Sequence, residues 1–181
     1  MKKTRFIFTC LLVVTLVSCY QVTIKRDYDP KANFQSLKTY DWLPITAQAE
    51  INPINLKRIE KAVDNQLGAK GFNRSSENPD FLIAAQAFKK DKISVMDYGY
   101  DYNYHPGYPR GAGYAHSDLD VYQYEEGTLI LDFIDTKSNE VIWRGSASAA
   151  LDSKPTPEKQ EKRINIAVTK LLKKFPPVPK N

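Results

Sequence analysis

The sequence predicts an α+β domain: a two-layer sandwich in which an antiparallel sheet of about five strands carries two helices on one face, in the order ββα-βββ-α. Residues 127–145 form two apolar runs around the polar segment 136–139, which indicates a β-hairpin. The first of these runs is apolar on both faces, so it is expected to form a central or covered strand. The segments after Asn52 and Thr156 repeat apolar residues at helical spacing, which predicts two amphipathic helices.

The N-terminus predicts a lipoprotein signal peptide. The basic residues Lys2, Lys3 and Arg5 precede an apolar run over residues 6–17, which is too short to span a bilayer as a helix. Residues 16–19, Leu-Val-Ser-Cys, resemble the bacterial lipobox, in which the chain is cleaved before a cysteine that becomes lipidated. We therefore expect a signal peptide over residues 1–18, lipidation of Cys19 and a single domain over residues 19–181. An ordinary signal peptide that happens to contain a cysteine is the alternative.

Cysteine content and charge narrow the class of protein further. Cys10 leaves with the signal peptide and Cys19 carries the lipid, so the mature domain is expected to have no disulfide and no cysteine for catalysis or metal binding. The formal net charge of +5 falls to +2 without the three basic residues of the signal peptide, which is too weak for a nucleic-acid partner. Tyr20, rather than an acidic residue, follows Cys19. In a Gram-negative host this suits retention in the outer membrane, facing the periplasm.

Two strands are expected before the first helix. Val22 and Ile24 alternate with polar residues over residues 20–25, and Pro30 breaks the extended segment. Residues 36–43 resume extended structure, which Pro44 closes.

Both helices begin with a cap residue followed by proline. Asn52 and Pro53 start the first helix, and Gly71 ends it as a glycine C-cap. Thr156 starts the second helix, and the Pro-Pro pair at residues 176–177 ends it. The predicted buried faces comprise Leu56, Ile59, Val63 and Leu67 in the first helix, and Ile164, Val168, Leu171, Leu172 and Phe175 in the second.

A Tyr/Gly-rich insert at residues 97–120 separates the third strand, residues 81–88, from the hairpin. The intervening residues 89–92, Lys-Lys-Asp-Lys, are expected to form a solvated extension or a turn, and the insert itself a long loop. Its tyrosines are candidate contacts for a ligand or a partner protein, because amphipathic rings are common at interfaces. These residues are Tyr98, Tyr100, Tyr102, Tyr104, Tyr108 and Tyr114. The alternative is a surface loop whose rings pack on the edge of the sheet.

Asp132 and Arg144 lie on the two arms of the hairpin, and an even register places them opposite each other. A carboxylate between apolar neighbours needs a partner, and arginine supplies a bidentate one. We interpret the pair as a structural ion pair that fixes the register of the two strands. A carboxylate positioned for acid–base chemistry is the alternative.

The sequence predicts no metal site, no cofactor and no catalytic set. The two histidines, His105 and His116, lie in the insert without the close spacing of metal ligands. There is no Gly-x-Ser-x-Gly motif, no Ser/His/Asp set outside the insert and no phosphate-binding glycine loop.

A series of short motifs runs along the mature chain: Asp27-Tyr28-Asp29-Pro30, Phe34, Thr39-Tyr40-Asp41-Trp42, Gly71-Phe72, Pro79-Asp80, Gly127-Thr128-Leu129, Asp132, Asp135, Trp143-Arg144-Gly145 and Phe175-Pro176-Pro177. Their order and spacing resemble the domain-of-unknown-function 4136 family of bacterial lipoproteins over the whole mature chain. The resemblance implies an envelope lipoprotein with an α+β domain and no established activity. It therefore transfers no catalytic residue to this sequence.

We expect a lipid-anchored protein of the bacterial cell envelope that is not an enzyme and that binds an envelope protein or stabilises an assembly at the membrane. The alternative is a glycan-binding module or a hydrolase that uses the insert and nearby carboxylates. A cleft joining the insert to Asp132 would favour this alternative, whereas an insert that projects from a closed sandwich would favour interaction.

Overall fold

The computed structural model describes residues 20–43, 51–97 and 119–178. In chain order the elements are β1 (Thr23–Tyr28), β2 (Thr39–Trp42), α1 (Pro53–Gly68), β3 (Asn73–Arg74), β4 (Phe81–Asp97), β5 (Leu119–Asp135), β6 (Val141–Ala150) and α2 (Pro157–Leu172). The strands form one open sheet in the order β1-β6-β5-β4-β2-β3, and the two helices pack on each other and on one face of it. The predicted α+β class is confirmed. Among the described residues no helix is long and apolar enough to cross a membrane.

The sheet is mixed and has six strands, whereas the sequence predicted an antiparallel sheet of about five. β2 pairs parallel to both β4 and the two-residue strand β3. Parallel neighbours need a crossover connection that returns the chain to the end of the sheet at which the first strand began. The helix α1, which lies between β2 and β4 in the sequence, provides this connection. The remaining pairs, β1–β6, β6–β5 and β5–β4, are antiparallel as predicted.

β4 is one continuous strand, so the alternative of a turn at residues 89–92 is wrong. Its partner β5 is equally long, and it supplies acidic residues where β4 is basic. Lys89 lies 3.0 Å from Glu125 and Lys92 lies 3.5 Å from Glu126, measured between the charged atoms. Opposite charges on paired strands stabilise the pairing, so the basic stretch continues the strand.

The helix ends follow the predicted cap chemistry. The Asn52 side chain accepts a hydrogen bond from the Ile54 amide at 2.9 Å. At the end of α1, Gly71 has a φ of +86°, and the next amide, that of Phe72, donates to the Leu67 carbonyl at 3.1 Å. This is the hydrogen-bond pattern of a glycine-terminated helix. Thr156 accepts from the Lys159 amide at 3.3 Å at the start of α2.

Asp80 fixes the start of β2 against the start of β4. Its Oδ2 atom accepts hydrogen bonds from the amides of Lys38 and Thr39 at 2.8 and 2.9 Å. These two backbone donors hold the pKa of the Asp80 carboxyl below its usual range. A single carboxylate thus joins two segments that are far apart in the sequence.

The core lies between the helices and the sheet and is rich in aromatic rings. On the helix-facing side, Ile83, Phe133 and Trp143 form a row across three neighbouring strands. Phe175, just after α2, is only 1% exposed and fills the centre of this layer. Five rings surround it: Phe34, Phe72, Phe81, Phe133 and Trp143.

Candidate functional site

The sheet face opposite the helices carries the Asp132–Arg144 pair. The two residues are directly opposite each other in the β5–β6 register. The guanidinium donates from Nε to Oδ1 at 2.5 Å and from Nη2 to Oδ2 at 2.7 Å. Asp132 is 4% exposed, whereas the Arg144 side chain is 56% exposed. The hydrogen bonds to Asp132 raise the pKa of Arg144.

Both carboxylate oxygens of Asp132 accept a hydrogen bond from the same guanidinium. The pair lies beside the irregularity in the β5–β6 ladder between Phe133 and Ile134. At such a point the strands lose part of their hydrogen-bond ladder, and a bidentate side-chain contact helps to hold the register. The geometry supports the structural interpretation of the pair over the acid–base one.

We expect Arg144→Ala to lower the free energy of unfolding by about 1–3 kcal/mol, because it leaves the buried Asp132 carboxylate without a donor. Urea denaturation followed by circular dichroism measures the change. Lys25→Ala, an exposed cation on the same sheet face, is the matched control and is expected to change stability little. Replacing both partners by leucine should recover most of the loss. An Arg144→Ala variant as stable as wild type would exclude a stabilising role for the pair.

A second polar cluster, which the sequence analysis missed, links α1 to β2. Asp64 on α1 accepts hydrogen bonds from the Tyr40 hydroxyl at 2.9 Å and from the Trp42 indole at 3.0 Å. Arg74 bridges Asp41 at 2.9 Å and Asp64 at 3.4 Å. Burial, followed by the bond to Asp64, raises the pKa of Tyr40. The contacts join residues 10 to 33 positions apart in the sequence, so only the packed fold reveals them. The cluster attaches the helix to the sheet.

The most unusual surface is a two-stranded arm at one end of the sheet. β4 and β5 remain paired to the ends Asp97 and Leu119, whereas β6 accompanies β5 only as far as the Glu126–Ala150 pair. Among the described residues, 92–97 and 119–124 therefore pair only with each other, and we call them the projecting arm. Six residues per strand extend by about 20 Å. The sequence pattern allowed extended structure at residues 93–95 and at Tyr122 and Tyr124, but it did not predict that these two segments pair as an arm.

The projecting arm exposes large apolar side chains. Ile93 is 69% exposed and Val121 is 63% exposed. Tyr122 and Tyr124, 51% and 37% exposed, belong to the opposite face of the arm. The arm leads directly into the Tyr/Gly-rich insert. The insert's candidate contacts, Tyr98, Tyr100, Tyr102, Tyr104, Tyr108 and Tyr114, lie outside the described residues, as does Cys19.

The described residues contain no group of three or more His, Cys, Asp or Glu side chains placed to hold a metal ion. His105 and His116 lie outside the described part of the chain.

A model of the domain of unknown function DUF4136 matches residues 24–177, which is nearly all of the folded region. The chain belongs to the DUF4136 family. The match spans both helices and all six strands apart from Thr23 at the start of β1, so the projecting arm is part of the DUF4136 domain.

The DUF4136 chain shares its fold with part of a PDZ domain protein from Parabacteroides distasonis, whose crystal structure superposes with a TM-score of 0.57 at 16% identity. The superposition covers 87% of this chain and 37% of that one, so the DUF4136 chain spans little more than a third of its length. The PelC dodecamer from Paraburkholderia phytofirmans gives a TM-score of 0.48 at 15% identity and covers 84% and 95% of the two chains. No curated protein matches the sequence.

Proposed function

We propose that this DUF4136 protein is a lipid-anchored, non-enzymatic component of the bacterial cell envelope that binds another envelope protein through its projecting arm. Cys19 carries the lipid, and the domain lies next to the outer membrane on its periplasmic side. The exposed apolar side chains at the free end of β4 and β5 are the observation that carries this proposal.

An unaccompanied pair of strands is a costly feature for a soluble domain. Two-stranded ribbons are marginally stable in water, and their edges offer unpaired amide and carbonyl groups to other chains. Ile93 and Val121 add apolar surface near those groups. A partner that adds a strand to the arm would pair the free amide and carbonyl groups, and a partner that covers the apolar face would bury Ile93 and Val121. The arm therefore has the chemistry of a protein-binding surface.

The charges at the base of the arm favour binding to a different protein over pairing with a second copy of the same arm. The Lys89–Glu125 and Lys92–Glu126 pairs place charges of both signs beside the apolar positions. Charges on strand edges disfavour self-association between identical edges. We therefore expect a heterologous partner with a complementary edge.

A photocrosslinking residue placed at Ile93 in cells is expected to capture a defined partner protein. The matched control is the same residue at Lys137, which is exposed in the turn at the other end of β5. A probe at Tyr104 or Tyr108 reports whether the insert shares the interface. The variant Val121→Asp should weaken capture from Ile93 with little change in melting temperature, because the side chain is exposed in the free protein. Equal capture from residues 93 and 137 would contradict the role of the arm.

Cys19→Ser is expected to abolish labelling with an alkyne analogue of palmitate and to release the protein from the membrane fraction, because the tether depends on several acyl chains. Cys10→Ser is the control for the other cysteine and should leave labelling unchanged. Retention of the label on the Cys19→Ser variant, or recovery of wild-type chain that still carries Met1, would contradict the anchor.

A further inference from the structure

The helix-facing side of the sheet has a gradient of side-chain size along the strands. The row Ile83–Phe133–Trp143 is followed by Ala85–Leu131–Gly145 and then by Ala87–Leu129–Ala147. Beyond these rows lie Gly127 and Ala149, which are paired with each other. The side chains that fill the layer beside Phe175 are therefore absent at the end near the arm.

The helices leave this end unfilled as well, and a cavity of about 290 Å³ results. The first residues of α1, including Asn55 and Ile59, form one wall, and Ile164 and Ala167 of α2 form the other. Leu151 closes the floor, since its side chain lies directly over Gly127. The volume is close to the lower end of ligand pockets, which hold about 300–1,000 Å³.

The lining is mostly apolar, and its charges are of one sign. Lys89 and Arg163 are the charged residues that line the cavity, and none of its described lining residues is acidic. Lys89 is paired with Glu125. An anionic group is therefore favoured at this site over a cationic one.

Arg163 is incompletely satisfied. Its Nη2 atom contacts Asp152 at 2.5 Å, and the guanidinium carbon lies 4.9 Å from the centre of the Tyr20 ring. Its Nη1 atom is buried and has no hydrogen-bond acceptor in the described part of the chain. Arg163 is one of the residues that line the cavity, so its guanidinium is a charged donor available to an acceptor bound there.

We propose that the cavity binds one free fatty acid, with the acyl chain between the helices and the sheet and the carboxylate on Arg163. An apolar cavity favours a hydrocarbon chain, and its small volume favours a single chain over a two-chain phospholipid. The carboxylate is an acceptor for the Arg163 guanidinium, and a charge-assisted hydrogen bond is stronger than a neutral one. This inference is independent of the projecting arm and of the lipid on Cys19.

The test uses laurate and dodecanol, which have the same chain length and differ in the charged end. The mature chain with Cys19→Ser retains all of the buried core and lacks the site of the proposed lipid anchor. Isothermal titration calorimetry is expected to show one laurate per chain and about tenfold weaker binding of dodecanol, equal to about 1.4 kcal/mol. Equal affinity for the two compounds, or binding of neither, would overturn the proposal.

Two variants locate the ligand. Arg163→Met should reduce laurate affinity about tenfold and leave dodecanol binding unchanged, whereas Lys162→Met, a neighbouring exposed cation, should alter neither. Ala167→Phe, which fills the cavity from α2, should reduce binding of both compounds while the melting temperature stays within a few degrees. Unchanged laurate binding in the Ala167→Phe variant would place the ligand elsewhere and refute the site.

A measurement on the lipidated wild-type chain distinguishes a free fatty acid from the acyl chain on Cys19 as the occupant of the cavity. It is expected to take up laurate as the Cys19→Ser variant does. If it takes up none, the acyl chain on Cys19, next to Tyr20 in the cavity wall, fills the space. That result would overturn the assignment to a free fatty acid.

Discussion

Phe175→Ala is expected to lower the free energy of unfolding by about 3–5 kcal/mol, the usual cost of truncating a buried phenylalanine. The side chain is 1% exposed, and its ring centre lies 4.7 Å from that of Phe133 and 5.4 Å from that of Trp143. Its loss leaves a cavity bordered by rings from β4, β5 and β6 and from the segments around Phe34 and Phe72. Guanidinium denaturation followed by tryptophan fluorescence measures the change.

The control for Phe175→Ala is Val178→Ala, three residues further along the chain and 81% exposed, which should change stability by less than about 0.5 kcal/mol. Phe175→Leu should recover part of the loss because it restores part of the volume. If Phe175→Ala were as stable as Val178→Ala, the C-terminal segment would not be docked in solution as the structure has it.

Gly145→Val is expected to cost about 3 kcal/mol through overpacking. A Cβ atom at this position would collide with Cη2 of Trp143 and would lie 2.8 Å from Cδ1 of Leu171. Both neighbours are buried in the core and have little room to move. The melting temperature and the urea midpoint report the loss.

Gly68→Ala also replaces a glycine by a residue with a Cβ atom, but it is not expected to destabilise the protein. Gly68 is the last residue of α1, and nothing lies within 4 Å of the position that a Cβ would take. Alanine is the better helix former, so this variant should be unchanged or more stable by up to about 1 kcal/mol. Comparable losses in the Gly145→Val and Gly68→Ala variants would show that packing at Gly145 is not the cause.

Features that depend on local chemistry were readable from the sequence. The caps at Asn52 and Thr156 and the glycine at the end of α1 require only neighbouring residues, and the structure has all three. The opposition of Asp132 and Arg144 also followed from the short hairpin, since a turn sets the register of the strands beside it.

Features that depend on residues far apart in the sequence could not be predicted from the sequence. The parallel pairing of β2 with β4 is decided by how α1 packs, and the length of β4 is decided by the acidic residues Glu125 and Glu126 on its partner strand. The cavity results from small residues on three strands, Ala87, Gly127 and Ala147, which are adjacent only in the folded sheet. Hydrophobic periodicity identifies these positions as apolar, but it does not show whether other side chains fill the space next to them.

The position of Phe175 after α2 sets the order in which the core of this domain can be completed. Synthesis delivers the N-terminal segments first, and the ring on which five others converge follows every described strand and helix in the sequence. β1 must likewise wait for β6, its only partner among the described strands. The aromatic layer can therefore close only after α2 has been made, so we expect this domain to complete its folding after the synthesis of its strands rather than during it.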